Sequence, residues 1–428
     1  MMHIFSMKRK TKKMKIRSVE DAPIFYIPLQ KYYGSLPEPV IKVGDRVKKY
    51  QLIGRSSNLI PANVHSPVSG TVMDIKEMLQ SDGLLTLTII ISNDYQEESI
   101  IPPNDTVEDY SVRELIQLIE DAGIVGEGGA QYPASLKYKL EGKAIHTFII
   151  NGTECEPYLT ADYALMAERT EELFKGINIV NKILCADDVV ISIEEQNKDL
   201  LKVFTPYLHK EEYRHFRVVI LPNEYPQGGE LQLIKSVTGI EMPRVQRPRD
   251  VGVIVSNVGT VYAVYNAVVN RYPVISRIIT VSGEQADNTG NYDVKIGTPI
   301  SHLVNILGIS LLDKTVVLGG PMMGRNIADW NIPISKGSSG VLLFRKEKVK
   351  RSNCISCGYC VDVCPMNLMP MKFEENFRQK KYFNLEKYSI SNCIECAACE
   401  YICPSNVSLI ESIKEGKIKL KQLADAIQ

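Results

Sequence analysis

The chain carries CISCGYCVDVCP from Cys354 to Pro365 and, after a spacer, CIECAACEYICP from Cys393 to Pro404. Each run reads C-x₂-C-x₂-C-x₃-C-P, and together they take eight of the ten cysteines. A cubane of four irons needs four thiolates. Three cysteines spaced two residues apart can wrap a tight turn around one side of a cube. The fourth, on so short a leash, cannot close on the same cube and reaches the other one. The spacing therefore predicts two [4Fe–4S] clusters that exchange a ligand: Cys354, Cys357, Cys360 and Cys403 for one, Cys393, Cys396, Cys399 and Cys364 for the other. Pro365 and Pro404 fix φ after each crossing cysteine and turn the chain away. Asn367 and Asn406 recur at one offset, the mark of an internal duplication.

Other uses of cysteine fit less well. Zinc sites pair C-x₂-C motifs across a longer gap, and disulfide frameworks belong to small secreted scaffolds. The doubled spacing is that of bacterial two-cluster ferredoxins, and thiolate clusters imply a reducing compartment. With 428 residues the chain has room for about three or four domains. Lys+Arg and Asp+Glu both number 50, so no global attraction to nucleic acid or to an acidic partner is expected. Met1 to Met14 has charge but no apolar core, unlike a secretory signal. The longest charge-free stretch, Val251 to Asn270, is too polar for a membrane span and reads as a buried strand followed by a helix. A soluble or peripheral protein is expected.

Taken in order, residues 8–15, KRKTKKMK, form a basic cluster. It reads as a flexible, solvated terminus over 1–23, with docking on anionic lipid as the alternative. Residues 24–108 read as an all-β module in which Gly44-Asp45 and Ser69-Gly70 mark turns. The module resembles a biotinyl/lipoyl barrel-sandwich hybrid without a carrier lysine, since none occurs between Asn58 and Val72. At Ser111 an S-x-x-E capping box with Glu114 opens a helix that Gly123 closes. The loop GIVGEGGAQYP follows, rich in glycines whose bare backbone amides could close around a phosphate ahead of a helix begun at Pro133. A strand then ends at Asn151, and its carboxyl end bears NGTECEPY, the position where α/β sheets bind ligands. There Asn151 could bond a flavin edge, while Glu154 and Glu156 put two carboxylates in one loop, one by the reacting rings and the other free to cap a turn. Cys155 and His65 read as packed side chains. Further βα units follow through 250, with YPQGGE opening a helix at Glu230. SNVGT then places Asn257 and Thr260 at a strand-to-helix junction. Residues 251–345 read as a small α/β module and linker, and 346–428 as the cluster domain.

GxGGAxxP, NGxECEPY, YPQGGE, SNVGT, GGPMMG and the doubled cysteine box occur in this order. From about residue 25 to 415 the chain resembles the C subunit of the Rnf ion-translocating electron transport complex. Its flavin region is also similar to the NADH- and FMN-binding subunit of respiratory complex I. The resemblance implies a multidomain α/β fold: a barrel-sandwich hybrid, a Rossmann-like FMN-binding domain, a β-grasp SLBB module and an α-helical ferredoxin-like domain. It implies FMN and two [4Fe–4S] clusters as cofactors and NADH as substrate. By motif, Gly126, Gly128, Gly129 and Ala130 would line the FMN, Lys137 would approach its phosphate, and Glu230 and Asn257 would complete the pocket. Asn151, Glu154 and Glu156 would lie by the isoalloxazine and nicotinamide.

The resemblance further implies an oxidoreductase and translocase subunit, held at the cytoplasmic face of the membrane by other Rnf subunits, with NAD(H) and a ferredoxin-type chain as redox partners. The residues leave two alternatives open. One is a soluble cytoplasmic protein of the same build serving a D-proline reductase or a cobalamin reductase. The other is a non-enzymatic iron–sulfur relay with a degenerate flavin site. The loop departs from the family's GGAGFPT or GGATFPT at Gln131, Tyr132 and Ala134, and it carries Glu127 between two glycines. A carboxylate at 4 Å from a phosphate costs about 1 kcal/mol in water, more when buried, unless it points away.

Overall fold

A computed structural model describes residues 1–30, 36–56, 60–100, 110–129, 131–242 and 246–427. Ala130, expected to line the FMN, lies outside the described residues.

After a short strand β1 (Ile16–Ser18), two small antiparallel sheets face each other. One is ordered β2-β8-β7-β4 and the other β3-β5-β6, from β2 (Ile24–Pro28), β3 (Glu38–Pro39), β4 (Arg46–Val47), β5 (Leu52–Arg55), β6 (Val64–His65), β7 (Gly70–Leu79) and β8 (Leu85–Asn93). Alternation puts Phe25, Ile27, Ile53, Val64, Ile89 and Ile91 into the shared core. Helix α1 (Val112–Asp121) begins with the expected capping box. It ends at Gly123, whose φ is +67° and where a Cβ would strike the Asn63 carbonyl at 2.1 Å. That close approach joins the helix end to the barrel.

The next layer is a parallel sheet ordered β11-β10-β9-β12. It runs through α2 (Ala134–Tyr138), β9 (Thr147–Gly152), α3 (Ala161–Glu168), α4 (Thr170–Leu184), β10 (Asp188–Glu194), α5 (Leu201–Leu208), β11 (Phe216–Leu221), α6 (Glu230–Thr238), β12 (Val253–Asn257) and α7 (Val258–Val269). Continuous apolar runs such as Phe148 to Ile150 and Val189 to Ile191 are fully buried because helices cover both faces. Helices α1, α4 and α7 pack on one face, and Leu233 and Ile234 of α6 on the other. From β9 the chain goes to β10 and β11 on one side, then returns to β12 on the other. The carboxyl ends of β9 and β12 therefore flank the point where strand order reverses, where such sheets open a crevice. Register sets Asn151 directly opposite Asn257 there.

A mixed six-stranded sheet, β1-β14-β13-β17-β15-β16, follows. It is built from β13 (Ser276–Gly283), β14 (Gly290–Lys295), β15 (Lys314–Leu318), β16 (Arg325–Ile327) and β17 (Gly340–Arg345), with α8 (Ile300–Ile306) packed on its core. The last layer is helical: α9 (Tyr359–Asp362), α10 (Pro370–Arg378), α11 (Phe383–Lys387), α12 (Ala398–Tyr401) and α13 (Leu409–Ile427) close around Phe373, Leu385, Ile390 and Ile413.

Two expected boundaries move. The limit placed at 250 falls instead after α7, because β12 pairs with β9 in the parallel sheet. Its strand-plus-helix pattern gave no sign of which sheet it joins. The terminus read as flexible is packed: β1 pairs with β14, the Met2 and Tyr225 backbones bond reciprocally, and Lys8 is only 3% exposed. A local run of lysines reads as solvated, but the carboxylates that pair with these lie some 150 residues away.

Candidate functional site

The glycine loop closes on itself through Ala134 N to the Ile124 carbonyl, 3.0 Å, and Gly126 N to the Tyr132 carbonyl, 2.8 Å. Gly129, at φ +113°, has open space where a Cβ would sit. The loop abuts α7: Glu127 N donates to Thr260 Oγ1 at 2.9 Å, and Gly128 faces Asn257. Asn257 caps α7 through Gly259 N at 2.8 Å. Its amide also donates to Asp162 Oδ2 at 2.7 Å and reaches the Asn151 carbonyl at 3.5 Å. Asn151 Nδ2 donates to the Gly228 carbonyl at 2.9 Å. Lys137 Nζ donates to Glu230 Oε1 at 2.9 Å and to the Val255 carbonyl at 2.6 Å. The expected residues from four separate motifs thus meet at the carboxyl edge of β9 and β12.

Glu127 sets its carboxylate against the amino end of α7. It pairs with Arg277 at 3.5 Å, and its Oε2 occupies the space beside Gly259. Burial pushes its carboxyl up against the pull of Arg277. The Arg277 guanidinium offsets this carboxylate, which fills the space at the first turn of α7.

The two carboxylates of NGTECEPY divide. Glu156 accepts from Met322 N at 3.0 Å and Met323 N at 2.9 Å, so it caps the GGPMMG turn, the role left open for one of the two carboxylates. Its two oxygens satisfy backbone amides that the turn leaves without partners. Glu154 stays within the site. Its Oε1 accepts from Asp162 N at 3.2 Å, whereas Oε2 is buried without a hydrogen bond. Burial raises its carboxyl to about 8, opposed by Lys8.

The cysteines ring two cavities. One is lined by Cys354, Cys357, Cys360 and Cys403, the other by Cys364, Cys393, Cys396 and Cys399. Each cavity draws three sulfurs from one run and one from the other. Among the described residues no three His, Cys, Asp or Glu side chains converge on a point that could hold a single ion. Soft thiolates set around a void suit a cluster better than zinc. The second cavity touches the nucleotide site. Tyr225, just before Gly228, donates its hydroxyl to the Cys396 carbonyl at 2.7 Å, and Met2, Ile4, Cys155, Met322 and Ala398 pack around that contact.

Comparisons agree with this layout. The RnfC barrel sandwich hybrid domain matches residues 2–96, the Nuo51 FMN-binding domain 119–266, and the 4Fe-4S dicluster domain 353–407. The C subunit of the proton-translocating ferredoxin:NAD(+) oxidoreductase complex of Clostridium ljungdahlii is 38% identical over 364 residues, covering 83% of this chain and 79% of its own. The chain belongs to the family of Rnf complex C subunits. Another member, the C subunit of the ion-translocating oxidoreductase complex of Rhodobacter capsulatus, is 36% identical over 87% of this chain and 72% of its own. The Haemophilus influenzae homologue is 37% identical over 86% of this chain, which spans 58% of that longer protein. A solved NAD+-reducing [NiFe]-hydrogenase shares the fold at a TM-score of 0.52 and 20% identity, over 74% of this chain and 63% of that one.

FMN and two [4Fe–4S] clusters are the cofactors of these domains, and this family member has residues that fit both. For FMN the fit lies in the open cradle at Gly129 and the amine of Lys137. For the clusters it lies in the two thiol-lined cavities. No helix among the described residues is long and apolar enough to cross a membrane.

Sequence reasoning missed Lys8, Asp162, Glu194, Tyr225 and Arg277. Tyr225 stood next to a recognised turn. Asp162 and Arg277 sit in α3 and β13 with no motif around them, and only tertiary contact brings them to the site.

Proposed function

We propose that this chain passes electrons between NAD(H) and two [4Fe–4S] clusters by way of FMN, as the C subunit of an Rnf-type ion-translocating ferredoxin:NAD oxidoreductase. It would sit peripherally at the cytoplasmic face of the membrane, held there by other Rnf subunits. When bound, FMN supplies the conversion between a hydride and single electrons. Lys137 and the glycine loop would approach the phosphate; Glu230 and Asn257 would complete the pocket; Asn151 and Glu154 would lie by the rings. Glu156 positions the GGPMMG turn between this site and the helical domain. Cys364, Cys393, Cys396 and Cys399 would ligate the cluster beside the flavin domain, and Cys354, Cys357, Cys360 and Cys403 the one beyond it. The six-stranded sheet with its single helix fits the β-grasp SLBB module.

One observation carries this reading: the contact of Tyr225 with Cys396, which joins the nucleotide pocket to a cysteine cavity through packed protein. Identity to Rnf C subunits over most of the chain favours it over a soluble reductase partner. The pairing of Glu127 with Arg277 favours it over an empty adaptor. Anaerobic reconstitution of the clusters, addition of FMN, and absorbance and EPR spectra with and without NADH test it. Bound flavin with NADH-dependent bleaching and two paramagnetic centres are expected. Iron without flavin uptake would overturn it.

A further inference from the structure

The first residues of the chain bring a cation into the centre of the flavin site. Lys8 is 3% exposed, and its amine lies 3.8 Å from Glu154 Oε2 and 3.7 Å from Glu194 Oε2. It also donates to the Glu154 carbonyl. Glu154 follows β9 and Glu194 ends β10, so Lys8 bridges the carboxyl ends of two adjacent strands. Glu156 and Asp162 lie close enough to feel its charge as well. Among the described residues further cations stand at the margins: Lys12 beside Asp199, and Arg277 beyond Asp162.

The backbone aims this amine. Met2 is tied to Tyr225 at one end. Tyr158 N donates to the Ser6 carbonyl at 2.8 Å, Met7 takes a left-handed φ of 52°, and the Lys8 carbonyl starts a turn closed by Thr11 and Lys12. Asn291 then holds the Thr11 and Met14 carbonyls at 3.2 Å. A buried amine is costly unless it is paired, and so are crowded carboxylates without a cation.

We propose that Lys8 is a positioning residue for hydride exchange, which fixes Glu154 as the carboxylate facing the reacting rings and makes the N-terminal segment part of the active site. The proposal rests on the reading that Glu154 lies by the isoalloxazine. Without Lys8, four neighbouring carboxylates share a dry site with no cation at its centre, and Glu154 and Glu194 hold their protons more tightly. Glu154 already titrates near 8, chiefly through burial, with Asp162 and Glu194 raising it and Lys8 lowering it. Removing Lys8 moves that titration up.

The test uses the full chain with clusters and FMN, as wild type, Lys8→Met, Lys8→Arg and Glu194→Gln. Readouts are FMN affinity and the pH profile of kcat/KM for NADH with an artificial acceptor. Lys8→Met should keep FMN, lose roughly a hundredfold in kcat/KM near neutral pH, and shift the inflection up by about one pH unit or more. Lys8→Arg should restore most of both, and Glu194→Gln should shift the inflection down. An unmoved profile in folded Lys8→Met, or an equal loss in Lys8→Arg, overturns the proposal. If Lys8→Met does not fold, an unmoved inflection in Glu194→Gln overturns it instead. A wild-type chain that takes up no FMN overturns the functional reading as well, whereas an unmoved profile in a flavin-loaded variant defeats the role of Lys8 alone.

Discussion

The two cysteine runs are near copies, yet their cavities sit in opposite surroundings. In the first, Cys354 and Cys357 are exposed, and between them Ile355 is 66% open to solvent. In the second, Cys396 and Cys399 are buried, and Ala398 is fully enclosed by Met2, Ile4 and Tyr225. The divergence lies in a few side chains at matching positions: Tyr359 faces solvent where Ala398 packs against the flavin domain. Spacing alone fixes which sulfurs share a cube, while the neighbours decide what each cube is for. On the proposed reading the enclosed centre, joined to the nucleotide site through Tyr225, would receive electrons and the open one would hand them on. Solvent exposure and hydrogen bonds to sulfur tune potentials, so identical ligand sets here serve as unequal centres.

The largest effect that could break this comparison comes from exchanging the crossing cysteines. Cys364→Ser should remove the enclosed centre, leave the open one unreduced by NADH, and lower the iron content by about half. Cys403→Ser should remove the open centre while NADH still reduces the enclosed one, with transfer to an external acceptor lost. Iron analysis and EPR after NADH reduction separate the two. Interchanged outcomes, with Cys364→Ser losing the open centre and Cys403→Ser the enclosed one, would mean that the runs are not crossed as the cavities indicate.

The ligand pattern was legible because a cubane imposes a short-range spacing that the chain must satisfy locally. The same holds for the capping box at Ser111 and Glu114 and for the strand that carries Asn151, which follow from i, i+3 and i, i+2 rules. What stayed hidden depends on contacts across the molecule. Lys8 looks like any solvated lysine until Glu154 and Glu194 are brought to it. Glu127 looks like an obstacle to an anion until Arg277 arrives from β13. Glu156 resembles Glu154 in sequence and parts from it only because the Met322 and Met323 amides lie within reach. The placement of β12 likewise needed its partner β9, because a buried apolar strand reads alike in either sheet.

Smaller substitutions sharpen the contrast. Ile394 holds in the second run the place that Ile355 holds in the first, but it packs with Met2, Tyr225 and Cys396. Ile394→Ser should cost about 1.5 kcal/mol in unfolding free energy, the lower range for losing a buried isoleucine, since it is only partly enclosed. Tyr225→Phe removes the hydroxyl that donates to the Cys396 carbonyl. A loss of about 1 kcal/mol is expected, with a shifted potential at the enclosed centre and none at the open one. Denaturant titration of the anaerobic holoprotein and redox-poised EPR measure the two effects.

The smallest effect is the most discriminating. Ile355→Ser removes a side chain of the same size from the same place in the motif, but one already two-thirds in water. Little apolar surface returns to solvent on unfolding, so stability should change by less than about 0.5 kcal/mol. NADH should reduce both centres as in the wild type, because Ile355 lines the cavity that lies away from the flavin domain. If Ile355→Ser destabilised the protein as much as Ile394→Ser, the first cavity would be covered in the folded molecule, and its role as the exit for electrons would fall.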